Sequence, residues 1–265
     1  MNCLFCKLDT ATSRSVEHII PESIGNTTAV LPPGIVCDKC NNYFSVKIEG
    51  PLLDESYFRH MRYHTRIRTK KGNPPRIEGI HLDTLVSLNL YPNIDGQGAS
   101  IGASYPHQEA LLLDSLSSRG GFSFIVPFPT PPNEQLLSRL LGKVALEAYA
   151  LHYLKEGLDV QELVHDAELD PLRDYVRRGF KPKIWPFNSR RLYDPEHHFT
   201  IPGQPPGAIL CGWTAQQVTP EDPYFILELF GVEYALNIGF PEVDKYRRWL
   251  IDNANRSPLH PDGFM

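Results

Sequence analysis

No apolar stretch in this 265-residue chain approaches the roughly 20 residues that a membrane-spanning helix needs, and the N-terminus, M-N-C-L-F-C-K, lacks the basic start and apolar run of a secretory signal. Both absences point to a cytoplasmic protein with no membrane partner. Positive charge is also scarce: 26 Lys and Arg stand against 31 Asp and Glu, a net of −5, which argues against a generally basic protein that coats nucleic acid. Internal repeats are lacking, and the 24 prolines are scattered through apolar sequence rather than gathered in a tract. What is present, 42% hydrophobic and 22% charged residues, is an ordinary globular composition in a chain long enough to bury a core.

The charge is unevenly divided. Residues 1–76 carry 11 Lys/Arg and 7 Asp/Glu, a net of +4, while the remainder is net −9, so a polyanion should meet the first third. In a reducing compartment the five cysteines are better explained by metal binding than by disulfides. Cys3-x-x-Cys6 and Cys37-x-x-Cys40 form two knuckles separated by 30 residues, each able to present two thiolates to one zinc ion. Cys211, in an apolar run, reads as a small buried hydrophobe.

Between the knuckles lies V-E-H-I-I-P, residues 16–21, which sets an acid beside an imidazole. Alone, it reads either as a surface strand polar on one side or as a catalytic pair. Successive strand residues point to opposite faces, so Glu17 and His18 serve one phosphate only if a metal and a scissile bond lie near the strand edge or at a bulge. Ile24-Gly25-Asn26 follows, and Asn41-Asn42 comes directly after Cys40.

This pattern, C-x-x-C, E-H-I-I-P-x-x-I-G, V-C-x-x-C-N-N-x-F, resembles the zinc-knuckle branch of the HNH endonucleases, over roughly residues 3–49. The resemblance implies a ββα-metal catalytic core. It makes His18 the general base, Glu17 and Asn41 ligands of a catalytic Mg²⁺ or Mn²⁺, and Cys3, Cys6, Cys37 and Cys40 the holders of a separate structural zinc. It also implies hydrolysis of phosphodiester bonds, in DNA ahead of RNA, as a nick or, in a homodimer, a double-strand cut. The asparagine that many HNH sequences carry just upstream of the second knuckle is replaced by L-P-P-G-I-V-C, leaving Asn26, Asn42 or a backbone carbonyl to orient His18.

The expected fold is α+β: an HNH module over residues 1–60, then a larger mixed region over 61–265 for target recognition, dimerisation or regulation. A helical run is expected from Asp38 to about Ile48. Further helices are expected near 133–155, capped by Asn133, and 170–178, with Asp170 at the cap and Gly179 as the stop. Antiparallel strands should close the chain, with a tight hairpin at Phe230-Gly231.

Residues 59–76 hold seven Lys/Arg and no acid. Arg62, His64, Arg66, Arg68 and Lys70 alternate with Tyr63, Thr65, Ile67 and Thr69, as one cationic face of a strand would, either solvated or tracking a phosphate backbone. Arg173, Arg177 and Arg178 read as a solvated helix face. The rival to a nuclease is a non-catalytic zinc module that binds nucleic acid or protein.

Overall fold

Three short elements carry the N-terminal segment: strands β1 (Glu17–His18) and β2 (Val30–Leu31), paired antiparallel, and helix α1 (Asp38–Phe44). In the computed structural model, which describes residues 1–68, 72–93, 98–119, 122–194 and 211–261, α1 runs into a π turn at Ser45–Glu49 and on into α2 (Gly50–Asp54). The helical path thus passes Pro51, whose missing N–H falls where the π turn gives way to α2. Leu4, Phe5, Ile19, Ile20, Leu31, Phe44 and Ile48 are buried around this segment, with the Phe5 and Phe44 rings 4.5 Å apart, edge to face.

The next stretch forms helix α3 (Ser56–His64), strands β3 (Ile77–His81), β4 (Ser87–Pro92) and β5 (Ala99–Ala103), helix α4 (Glu109–Arg119) and strand β6 (Phe124–Ile125). The strands make one antiparallel sheet in the order β5-β4-β3-β6. Ile77, Leu88 and Leu90 turn to one face of it and are buried with Val86 and Leu112.

From Asn133 come helices α5 (Glu134–Lys155), α6 (Val160–His165) and α7 (Asp170–Arg178), then strands β7 (Phe187–Arg191), β8 (Cys211–Thr219), β9 (Asp222–Leu229) and β10 (Val232–Asn237), and helix α8 (Asp244–Asp252). The four strands form an antiparallel sheet in the order β7-β10-β9-β8. Phe230 and Gly231, at φ of 51° and 73°, make the two-residue turn between β9 and β10, the left-handed geometry that a tight hairpin requires. Tyr246 and Leu250 of α8 cover Tyr224, Ile226 and Ala235 on one face of this sheet.

Helices form over both expected spans, 133–155 and 170–178. Asn133 Oδ1 accepts from the Leu136 N–H at 3.0 Å as the N-cap of α5, and Gly179, at φ 67°, ends α7. Asp170 is the first residue of α7 rather than its cap. Helix α7 packs tightly on α5 at Gly142, where an added Cβ would lie 2.7 Å from Val176 Cγ2. Arg139 of α5 donates to the carbonyls of Val176 and Arg177 at 3.0 and 3.1 Å, satisfying acceptors that the end of α7 leaves open.

The contacts divide the chain otherwise than at residue 60. Residues 1–52 and 133–265 make one compact unit, and residues 53–132 make the other. The reason lies in α5, whose middle is packed against the N-terminal segment through β2 and the π turn.

Two further sequence expectations are corrected. Arg62 and His64 lie in α3, not on a strand, and the chain stops the helix at Arg66, which is left-handed at φ 55° while the Ile67 N–H bonds to the Arg62 carbonyl at 3.1 Å. Side chains therefore follow a helical period: Arg62 is buried and donates to the Leu53 carbonyl, whereas His64, Arg66 and Arg68 are exposed. Lys70 lies outside the described residues. Arg173 is likewise not solvated; it is 2% exposed and donates to the carbonyls of Asp166 and Leu163 and to Asp170, tying the end of α6 to the start of α7.

Candidate active site

The four knuckle cysteines converge. Cys3, Cys6, Cys37 and Cys40 are all unbridged by disulfides, and their Sγ atoms lie within 4.8 Å of one another. Cys6 and Cys37 sulfurs are 3.6 Å apart, close to the edge of about 3.8 Å that a tetrahedron with metal–sulfur bonds of about 2.3 Å demands. The second knuckle folds its backbone toward sulfur. The Cys40 N–H points at Cys37 Sγ (3.4 Å), and the Cys37 N–H points at Cys3 Sγ (3.3 Å). A hydrogen bond from Cys40 pushes the Cys3 thiol down to about 4 and raises Cys40 in turn, while burial raises Cys6, so Cys3 is the sulfur shifted toward the thiolate that a metal requires. The set is consistent with a zinc knuckle. Among the described residues it is the one cluster of His, Cys, Asp and Glu with metal-ligand spacing.

Helix α1 starts at this cluster, with Cys37 as its N-cap, and its exposed polar side runs back along the chain that enters β1. Asp38 Oδ1 accepts from the N–H groups of Arg14 (3.0 Å) and Ser15 (2.9 Å), and these bonds with the Ser15 hydroxyl hold its carboxyl below the ordinary aspartate value. One turn on, Asn41 Nδ2 donates to the Val16 carbonyl at 3.2 Å. Asn41 therefore stands beside Glu17 and His18.

The connection from β1 to β2 is held by Asn26. Its buried amide donates to the carbonyls of Ile20 (2.9 Å) and Ala29 (3.0 Å) and accepts from the N–H groups of Thr28 (3.2 Å) and Ala29 (2.9 Å). All its capacity goes to the backbone, so Asn26 orders the loop rather than the His18 ring. His18 is half-buried, and its Nδ1 is enclosed with no hydrogen-bond partner among the described residues.

Glu17 faces inward, as the alternation of a strand requires. Its Oε1 lies 2.7 Å from Nζ of Lys143, a wholly buried lysine in the middle of α5, and its Oε2 is enclosed without a partner. Glu49, from the π turn, and Glu147, one turn along α5, each place a carboxylate oxygen 2.9 Å from the same ammonium. The backbone carbonyls of His18 (3.3 Å) and Ile19 (3.4 Å) also face this nitrogen, so five oxygens surround three ammonium protons.

Burial works against the charge on Lys143, but Glu147, Glu49 and Glu17 outweigh it and hold the lysine well above its ordinary value. Burial also raises Glu17 and Glu147, against the pull of the ammonium. One lysine cannot neutralise three carboxylates. The sign of both shifts means that protonation of a carboxyl relieves the remaining negative charge.

Sequence reasoning did not reach Lys143, Glu49 or Glu147. A trace was present: in G-K-V-A-L-E-A, residues 142–148, a lysine and a glutamate four apart interrupt the apolar stripe of an otherwise core helix. No helix among the described residues is long and apolar enough to cross a membrane. Residues 3–56 match the family model of the HNH endonucleases, about a fifth of the chain, and the match supports a nuclease-type function for that segment. No curated protein and no solved structure matches the chain.

Proposed function

We propose that residues 3–56 work as a zinc-stapled HNH endonuclease that hydrolyses phosphodiester bonds, in DNA ahead of RNA. One observation carries the reading: Asn41, on the helix that begins at the second knuckle, is bonded to the Val16 carbonyl and so adjoins Glu17 and His18 within the segment that matches the family. In this assignment His18 is the general base, and Glu17 and Asn41 hold a divalent ion, Mg²⁺ or Mn²⁺.

The donor set fits such an ion. Glu17 has Oε2 enclosed and unpartnered, and Asn41 spends its amide nitrogen on Val16, which leaves its carbonyl oxygen. When bound, the ion would supply neutralisation of charge on the phosphate and the leaving oxygen. His18 takes a proton from the attacking water at Nε2, because Nδ1 is enclosed. Exposed Arg66 and Arg68 serve as contacts to a phosphate backbone. One site cuts one strand, so the product is a nick unless two copies meet on a duplex.

A second observation favours a rival reading. Lys143 sequesters Oε1 of Glu17 inside the fold, which suits a non-catalytic zinc module that binds nucleic acid or protein. Plasmid cleavage with Mg²⁺ or Mn²⁺ separates the two. The wild type should nick supercoiled plasmid, and His18→Ala should keep its zinc and lose cleavage. Equal cleavage by both proteins, or none by either, would sink the nuclease reading.

A further inference from the structure

We infer that Lys143 is the positioning residue of the candidate site: its buried ammonium, delivered by α5, sets the backbone of His18 and the carboxylate of Glu17. The inference rests on the nuclease reading for its effect on cleavage, though not for its effect on the placement of His18.

Little else holds the backbone of this strand. Strand β1 is two residues long and pairs only with β2, itself two residues long. A two-stranded ladder of this length has no independent stability. Beyond that ladder, the His18 and Ile19 carbonyls are held by Lys143 at 3.3 and 3.4 Å, and the Glu17 carboxylate by the same nitrogen at 2.7 Å. Three consecutive residues thus converge on one ammonium, and the middle one is the proposed base.

A buried lysine is a poor device for stability alone, because an apolar side chain of similar volume usually serves as well without the cost of desolvating a charge. An apolar side chain cannot bind two carbonyls and a carboxylate. The ammonium is itself well fixed: Glu49 and Glu147 lie 2.9 Å from it on sides supplied by the π turn and by α5. Gly142, next to Lys143, lets α7 press against α5 and so fixes the helix at the level of the lysine. Lys143 acts toward Glu17 and His18 much as a bound cation would, holding oxygen ligands from three separate segments around one charge.

The test uses the full, zinc-loaded chain. Lys143→Met alone strands three carboxylates in the core and is expected to unfold, so the informative protein is the double variant Lys143→Met with Glu147→Gln, which removes one charge of each sign. Two readouts are taken: the ring ¹H–¹⁵N resonances of His18, assigned by their loss in His18→Ala, and steady-state plasmid nicking in Mn²⁺. The expected result is full zinc content, displaced His18 resonances, and kcat lower by about 100-fold, the scale of a 1 Å misplacement, with KM for plasmid unchanged. Unmoved His18 resonances with wild-type kcat would overturn the inference and leave the nuclease reading standing. Displaced resonances with no nicking by either protein would uphold the positioning and remove the nuclease reading.

Discussion

Asn41 Nδ2 donates to the carbonyl of Val16 at 3.2 Å, across 25 residues of sequence, and this bond aligns the start of α1 with the strand that carries Glu17 and His18. The bond is at the surface, so its loss should cost only about 1 kcal/mol of stability. Asn41→Ala should therefore melt within a few degrees of the wild type and keep its zinc, while Mn²⁺-supported cleavage falls by about 10-fold or more, at least the loss that follows when a group orienting a metal ligand is removed. Full cleavage by this variant would remove Asn41 from the site.

Asn26 makes the opposite kind of prediction, because it is buried and spends every bond on backbone. Asn26→Ala leaves the Ile20 carbonyl and the N–H groups of Thr28 and Ala29 without this partner, while the Ala29 carbonyl keeps the Ile19 N–H, at a cost of about 3 kcal/mol. A urea titration should show the midpoint fall. The His18 ring resonances should broaden in the same variant, since the loop that leads out of β1 is no longer closed.

The exposed cations after α3 give a test of nucleic-acid contact that is independent of catalysis. Arg66→Glu with Arg68→Glu should weaken plasmid binding and flatten its dependence on salt, by roughly two in the slope of log affinity against log salt. Zinc content should not change. Binding of undiminished strength and salt dependence would assign the phosphate contacts elsewhere.

Asp222, at the turn into β9, predicts how the C-terminal sheet responds to acid. Burial pushes its carboxyl up, but the Lys245 ammonium at 2.5 Å, with Thr219 and Asn237, outweighs burial and holds the group below its ordinary value. A depressed folded-state value stabilises above the unfolded value of about 3.9 and loses that contribution as pH falls through the folded value. The urea midpoint should thus drop as pH is lowered from about 5 to 3, and Asp222→Asn should show a shallower drop over the same range. An identical acid limb in both proteins would assign the effect to other groups.

Much of this was legible because local chemistry decided it. The cysteine spacing brought four sulfurs together, Asn133 capped α5, Gly179 stopped α7, and Phe230-Gly231 turned the last hairpin. The alternation of cations after Arg62 misled because a helix presents alternating residues to different faces, and because Arg66 takes a left-handed conformation that no local pattern announced. Arg173 was read as solvated because, besides Asp170, the partners that bury it are backbone carbonyls, which a sequence of side chains does not display. Lys143 was out of reach for the same reason at longer range. Its acceptors lie on a strand, a π turn and its own helix, and only the packing of α5 against the N-terminal segment assembles them.

The distance along the chain between Lys143 and His18, 125 residues, also sets an order of events. At about 5–20 residues per second, the ribosome delivers the lysine roughly 6 to 25 s after the histidine. During that interval the knuckles can take up zinc, yet the strand between them has no cation to close on. A chain that is still being made therefore carries Glu17 and His18 without the ammonium that closes on them, because residues 53–132, a separate compact unit, are made before α5.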